Sequence, residues 1–125
     1  MIDETRIGDW LAAYRHAWST DDPAEIARLF KDDVRYFTAP YREPLEGVGA
    51  VTAYWIGEDE GRIPWSFEEQ VLAQEGDLFI IRAVTTYPEG GSRDDDPAQF
   101  HNLWLVTLDA DGRAREFVEY YMLVE

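Results

Sequence analysis

Hydrophobic positions in the first part of the chain recur at the spacing of a helix. Five of them form one apolar stripe on a first predicted helix: Ile7, Trp10, Leu11, Tyr14 and Trp18. A second helix begins after Asp22, because Asp22 can cap it, Pro23 suits its first turn and Glu25 completes a capping box. The buried side of this second helix has three apolar residues: Ile26, Leu29 and Phe30. A brief strand, Val34–Phe37, and a third helix, Gly47–Trp55, are predicted to follow.

Beyond Pro64 the period of the hydrophobic pattern changes from about 3.6 to about 2, which indicates strands. The strands form two predicted hairpins: Trp65–Gln74 with Asp77–Tyr87, and Gln99–Leu108 with Arg113–Val124. Gly112 can adopt the positive φ that the second turn needs. Helices first and antiparallel strands afterwards favour an α+β fold in which one sheet is covered on one face. No linker divides the chain, so a single domain over residues 1–125 is expected.

The turn positions fix a register, and the register decides which side chains share a face. Pairing Leu108 with Arg113 gives three opposed pairs on one face: Trp104 with Phe117, Asn102 with Glu119, and Phe100 with Tyr121. Pairing Gln74 with Asp77 in the first hairpin gives three more: Val71 with Ile80, Glu69 with Arg82, and Phe67 with Val84. The result is an aromatic-rich face interrupted by four polar residues: Glu69, Arg82, Asn102 and Glu119.

These four polar residues are the candidate chemistry of the chain. A carboxylate buried under the helices costs several kcal/mol unless it is paired or protonated. Glu119 is therefore a candidate general acid or base, because desolvation raises a carboxyl pKa towards neutrality. The alternative is a structural hydrogen bond to Asn102 and nearby tyrosines. Arg82 can hold a ligand carboxylate or enolate, or it forms a cross-strand ion pair with Glu69.

Aromatic residues are abundant, with five Trp, seven Tyr and six Phe among 125 residues. They either fill a core or line a pocket for a small hydrophobic organic molecule. Together with Glu69, the candidate lining residues are Trp18, Tyr36, Tyr54, Trp55, Trp65, Trp104, Phe117 and Tyr121.

Charge and composition narrow the partners. Eleven Lys and Arg against 26 Asp and Glu give a formal net charge of −15, which repels nucleic acid and anionic membrane surfaces. There is no cysteine, and His16 and His101 are too far apart in the sequence to suggest a metal site, so we expect neither a metal nor a cofactor. Asp94–Asp96 is interpreted as a solvated charge run.

No apolar run approaches the roughly 20 residues that span a bilayer. The polar start, Met1–Trp10, lacks a signal-peptide pattern, so a cytoplasmic location is expected.

Several segments resemble SnoaL-like proteins of the nuclear-transport-factor-two-like superfamily. They are Asp22–Val34, Gly47–Val51, Asn102–Trp104, Asp111–Arg113 and Glu119–Tyr120. The resemblance covers nearly the whole chain. It implies a cone-shaped, curved, mostly antiparallel sheet wrapped around the N-terminal helices, an open pocket between them, and a homodimer formed through the outer sheet face. It implies little about the reaction, because the fold hosts many activities and also non-catalytic members.

Carried over position by position, the resemblance selects a few residues. Tyr14 matches the tyrosine with which ketosteroid isomerase donates a hydrogen bond to an oxyanion, and Tyr54 and Trp55 match pocket aromatics of the third helix. The general base of that isomerase would lie at or beside Thr38, which cannot take a proton from carbon. Its second carboxyl group would lie near Trp104, so two of its three catalytic groups are missing and steroid isomerisation is not indicated.

A second relative, limonene epoxide hydrolase, uses an acid–arginine–acid arrangement on its sheet, which Glu69, Arg82 and Glu119 resemble in general character. The leading hypothesis is a cofactor-independent isomerase, cyclase, dehydratase or hydrolase. Glu119 would move the proton, while Arg82, Asn102 and Tyr14 would stabilise negative charge on a substrate oxygen. A non-catalytic ligand-binding or dimeric interaction domain, or an interior filled by its own aromatic residues, remains the alternative.

Overall fold

The structure is a computed structural model that describes residues 2–20, 22–59, 66–90 and 97–124. Its helices are α1 (Glu4–Thr20), α2 (Pro23–Ala27) and α3 (Val48–Asp59). The apolar stripe of α1 is confirmed for Ile7, Trp10, Leu11 and Tyr14, which are buried together with Ala17, whereas Trp18 is partly buried. Asp22 caps α2 as predicted, because its carboxylate accepts a hydrogen bond of 2.9 Å from the Ala24 N–H. No helix in the described part of the chain is long and apolar enough to cross a membrane.

Six strands form one sheet in the order β2-β1-β6-β5-β4-β3. They are β1 (Phe30–Phe37), β2 (Leu45–Glu46), β3 (Ser66–Glu75), β4 (Leu78–Gly90), β5 (Pro97–Leu108) and β6 (Ala114–Leu123). Only the pairing of β1 with β6 is parallel within this sheet, so the predicted α+β class with a mostly antiparallel sheet is confirmed. Phe30 begins β1 instead of lying in the second helix, so β1 is longer than the predicted strand Val34–Phe37, and β2 was not predicted.

The second hairpin has a different register from the predicted one. An irregularity between Thr107 and Leu108 pairs Trp104 with Glu119 and Asn102 with Tyr121, so the three predicted pairs are wrong. The displacement is two residues over most of the hairpin, and side chains alternate between faces with a period of two. The displaced strand therefore keeps its inward set, and Asn102, Trp104, Phe117 and Glu119 share one face as predicted.

In the first hairpin the register error reverses a face. Glu75 pairs with Leu78, and a bulge between Val71 and Ala73 then pairs Gln70 with Arg82 and Glu69 with Ala83. The odd-numbered residues of β4 point inward, where four of them are buried: Phe79, Ile81, Ala83 and Thr85. Arg82 lies on the outward face, is exposed and donates a hydrogen bond to Gln70 Oε1. Its predicted inward position opposite Glu69 is wrong, because the bulge displaces β3 by one residue relative to β4.

A network of charges joins the two hairpin turns to the start of α1. The Arg6 guanidinium donates to Asp77 at 3.0 Å and to the carbonyl oxygens of Leu108 and Asp109 at 3.2 and 3.0 Å. Arg115 donates to Asp77 at 3.3 Å and to Asp109 at 3.0 Å. Hydrogen bonds from Arg6 and then from Arg115 lower the pKa of Asp77. Ion pairs therefore stabilise this end of the sheet, and the inward polar residues lie towards the opposite end.

The outward face of the sheet carries partly or fully exposed apolar residues, among them Leu103, Leu105, Val118, Tyr120 and Met122. His101 is exposed on the same face, opposite Met122. The homodimer expected through this face stays a prediction.

Candidate functional site

Three polar side chains on neighbouring strands form a hydrogen-bonded chain on the inward face. Thr85 of β4 donates from its hydroxyl to Asn102 Oδ1 at 2.9 Å. Asn102 of β5 donates from Nδ2 to Glu119 Oε1 of β6 at 3.0 Å. Thr85 and Asn102 are the polar residues that the described part of the chain buries most deeply, with 9% and 8% of their surfaces exposed. The carboxyl group of Glu119 is thus held by a fixed amide, and that amide is held by a hydroxyl.

The protein raises the pKa of Glu119 to about 8, mainly because burial penalises the charged form. Hydrogen bonding from Asn102, and then from Trp104, lowers this pKa without offsetting the desolvation. Glu119 Oε2 is buried and has no hydrogen bond of normal geometry within the described segments, although the Trp104 indole lies close enough to favour the charged form. Since Oε1 accepts the Asn102 amide proton, the proton of the neutral carboxyl group belongs on Oε2. Glu119 is therefore mostly protonated at neutral pH.

The aromatic residues around this chain form a continuous packed layer beneath α1 and α3. The Tyr14 ring lies 5.0 Å from Trp104 and 5.4 Å from Trp55, and the Tyr36 ring stacks on Phe117 at 4.7 Å. All five rings are buried, with at most 7% of each residue exposed. The floor of the candidate site therefore consists of core residues: the four predicted lining residues Tyr36, Trp55, Trp104 and Phe117, and the predicted donor Tyr14.

Three other predicted lining residues reach the edge of the inward face. Trp18 is partly buried and packs against Trp55 with ring centroids 4.8 Å apart. Tyr54 and Tyr121 are exposed over 37% and 52% of their surfaces. These three side chains therefore carry most of the exposed surface among the predicted aromatic lining residues that the structure describes. Trp65, which was also a predicted lining residue, lies outside the described residues.

Glu69 lies inward as predicted, but its partner differs from the predicted one. Arg15 of α1 forms an ion pair with the Glu69 carboxylate, and the Glu69 side chain is 21% exposed. The pair joins the helix to β3 at the border of the site. Arg82 therefore neither pairs with Glu69 nor approaches Glu119, and the predicted acid–arginine–acid set is not assembled.

Sequence reasoning missed Thr85 and Arg15. The predicted register, which placed Arg82 and Val84 inward, would turn Thr85 outward. Arg15 follows Tyr14 on the border of the apolar stripe, and only the packing of α1 on the sheet reveals its partner. Within the described residues, no group of three or more His, Cys, Asp or Glu side chains could hold a metal ion.

A comparison with protein families identifies the chain. The sequence model of the SnoaL-like domain matches residues 11–117, which include residues 11–20 of α1 and Asn102 and end two residues before Glu119. The chain belongs to the SnoaL-like domain family. The predicted resemblance is thereby confirmed. No curated protein matches the sequence.

Solved structures share the SnoaL-like fold at low sequence identity. SalBIII, an epoxide hydrolase/cyclase-like enzyme in pyran ring formation in the polyether salinomycin, aligns with a TM-score of 0.75 at 14% identity over 98% of this chain and 95% of its own. An LEH-like epoxide hydrolase of M. tuberculosis aligns with a TM-score of 0.71 at 14% identity over 94% and 84%. A loop-truncation variant of IdmH aligns with a TM-score of 0.69 at 18% identity over 91% of both chains. At these identities the likeness concerns the fold.

Burial of the Glu119 carboxyl group has a consequence for stability that the variant Glu119→Gln tests. The native state keeps the Glu119 proton up to about pH 8, whereas a free carboxyl group releases it near 4.5. Between these values the native state binds more protons than the unfolded state, so the free energy of unfolding falls as the pH rises. From pH 5.5 to 8.5 we expect wild type to lose about 2–4 kcal/mol more than Glu119→Gln in urea unfolding. Parallel pH profiles would contradict the burial of an ionisable carboxyl group.

The hydroxyl of Thr85 is expected to orient Asn102. In Thr85→Val the amide loses its donor and can turn Oδ1 towards Glu119, which favours the protonated carboxyl group. We expect the pKa of Glu119, followed by ¹³C NMR of the carboxyl carbon, to rise above its wild-type value. Thr85→Ser keeps a hydroxyl group and should keep the wild-type pKa. An unchanged or lowered pKa in Thr85→Val would mean that Thr85 does not set the orientation of the amide.

Proposed function

We propose that this SnoaL-like protein binds a small hydrophobic organic molecule against the inward face of its sheet. In this proposal Glu119 transfers a proton to and from the bound molecule without a cofactor. One observation carries the proposal: a carboxyl group with a pKa of about 8 lies on the inward face beside aromatic rings and a fixed amide. Folding alone gives no reason to bury such a group, because a buried polar residue without a full set of partners destabilises the native state.

The protonation state favours reactions that begin with a proton donation. At neutral pH most Glu119 side chains carry a proton, so the group can donate it to a carbonyl, hydroxyl or epoxide oxygen. The resulting carboxylate then accepts a proton from the attacking water or hydroxyl group or, in a dehydration, from the carbon next to the one that lost its hydroxyl group, which restores the starting state. A reaction that begins by removing a proton from carbon would need the ionised minority. Hydrolysis, cyclisation or dehydration therefore suits the site better than isomerisation through an enolate.

Asn102 and Tyr14 are the candidate donors to negative charge on the substrate. Asn102 uses one N–H to bond Glu119 and has a second N–H available in its amide group. Tyr14 packs on Trp104, the cross-strand neighbour of Glu119, so its hydroxyl group belongs to the same layer. Arg82 has no part in this proposal, because it lies on the outward face. The fold-level neighbours support the reaction type, since two of them are described as epoxide hydrolase or hydrolase/cyclase-like proteins.

The second candidate is a binding domain without catalysis. It is favoured by the dense contacts among the interior rings, which leave Trp55 and Trp104 only 1% and 2% exposed. In that case the aromatic floor is chiefly structural, and Glu119 anchors a ligand by a hydrogen bond. The two candidates differ in whether a bound molecule is converted.

Turnover by Glu119→Gln distinguishes the candidates. Wild type would be incubated with hydrophobic epoxides, hydroxy-epoxides and hydroxy-ketones, and the products followed by chromatography. For any converted compound we expect kcat/KM to fall above about pH 8, where Glu119 loses its proton, and to drop at least about 100-fold in Glu119→Gln.

Glu68→Gln is the matched control, because Glu68 is an exposed residue of β3, which β5 and β4 separate from the strand of Glu119. It should retain wild-type turnover. Full turnover by Glu119→Gln would reject the role of Glu119. Binding of the compounds by wild type without any product would favour the binding domain.

A further inference from the structure

The turn after β1 carries an arginine to the edge of the inward face. The Arg42 N–H donates to the carbonyl oxygen of Ala39 at 3.2 Å, and Ala39 is buried with 2% of its surface exposed. The parallel pairing of Tyr36 with Phe117 and of Phe37 with Val118 sends the end of β1 along β6 in the direction of Glu119. The turn is therefore anchored beside the strand that carries the candidate acid.

Three tyrosines interact with the Arg42 guanidinium, Tyr41 by contact and Tyr54 and Tyr121 electrostatically, and we call them the tyrosine rim. The guanidinium lies 5.6 Å from the centroid of the Tyr41 ring. Interactions with the hydroxyl groups of Tyr41, foremost a hydrogen bond, and then of Tyr121 and Tyr54 raise the pKa of Arg42. Tyr54 belongs to α3 and Tyr121 to β6, so the guanidinium lies near residues from both walls of the site.

Arg42 differs from other arginines in its charge environment. Six described arginines form ion pairs with carboxylates: Arg6, Arg15, Arg28, Arg35, Arg113 and Arg115. The other two described arginines, Arg42 and Arg82, form no such pair with any carboxylate in the described ranges, although the chain has 26 acidic residues and a net charge of −15. Arg82 donates to Gln70 on the outward face, so of these two only Arg42 lies in the turn after β1. A guanidinium carries five N–H donors and stays charged at every physiological pH. At the rim this cation is available to an anion from solution.

We propose that Arg42 binds the carboxylate group of the hydrophobic ligand at the tyrosine rim. The inference rests on the proposed function and adds the chemical class of the ligand, a hydrophobic acid. Tyr121 lies two residues beyond Glu119 on the same face, which separates their Cα atoms by about 7 Å. A molecule of two fused rings can therefore extend from Glu119 to Tyr121, whose hydroxyl group interacts electrostatically with Arg42. Arginine suits this task because its planar donor edge binds both oxygens of a carboxylate.

Two probes of one shape test the proposal, 2-naphthoate and 2-naphthamide, which differ in charge. Binding would be measured by isothermal titration calorimetry to wild type, Arg42→Gln and Arg42→Lys. We expect Arg42→Gln to lower the affinity for 2-naphthoate by about tenfold or more and to change the affinity for 2-naphthamide by less than about twofold. Arg42→Lys keeps the charge and should restore part of the affinity for 2-naphthoate. Arg28→Gln is the control, because the Arg28 side chain is 73% exposed on α2 and should leave both affinities unchanged.

The outcomes separate this inference from the proposed function. If Arg42→Gln leaves the affinity for 2-naphthoate unchanged, or weakens both probes equally, the role of Arg42 is overturned while a site for neutral ligands stands. If wild type binds neither probe, both proposals are overturned. A loss of affinity confined to 2-naphthoate supports the inference even if Glu119→Gln shows that no proton is transferred.

Discussion

The site depends on one constraint, the burial of a carboxyl group that has too few partners to remain ionised. Desolvation raises the pKa of Glu119 to about 8, and the hydrogen bond from Asn102 only moderates the effect. The group is therefore a weak acid poised near physiological pH, which is the condition under which a side chain transfers protons well. Everything proposed about the reaction follows from this state of one side chain. Thr85 and the aromatic floor serve to maintain it.

The two ends of the sheet divide stability from chemistry. At the end that holds the hairpin turns, Arg6, Asp77, Asp109 and Arg115 satisfy one another and fix α1 to the sheet. At the other end the polar groups are buried with fewer partners, and the exposed tyrosines begin. A SnoaL-like fold can place a costly carboxyl group in its interior because the opposite end and the aromatic core hold the strands in register.

The periodicity of the hydrophobic pattern predicted much of the fold, but it predicted only some of the residues of the candidate site. The inward set of β5 and β6 was predicted correctly although every pair was wrong, because a displacement of two residues preserves the face. The bulge near Val71 displaces β3 by one residue relative to β4. Because of this displacement the inward face of β4 carries odd-numbered residues such as Thr85, whereas the prediction placed Arg82 there. No local signal in the sequence marks that bulge. Arg42 lies in a turn, where the sequence has no periodic hydrophobic pattern. The residues near it in space therefore become known only from the pairing of β1 with β6.

The most direct measurement is the titration of Glu119 in the wild-type protein. The protein would be labelled with ¹³C-glutamate, and the Glu119 carboxyl resonance assigned by its absence in Glu119→Gln and followed from pH 4 to pH 10. We expect a midpoint within about one unit of 8, with the resonance in its protonated position at pH 6. A midpoint near 4.5 would show that Glu119 is ionised and solvated at neutral pH, and it would contradict the buried acid on which the site depends.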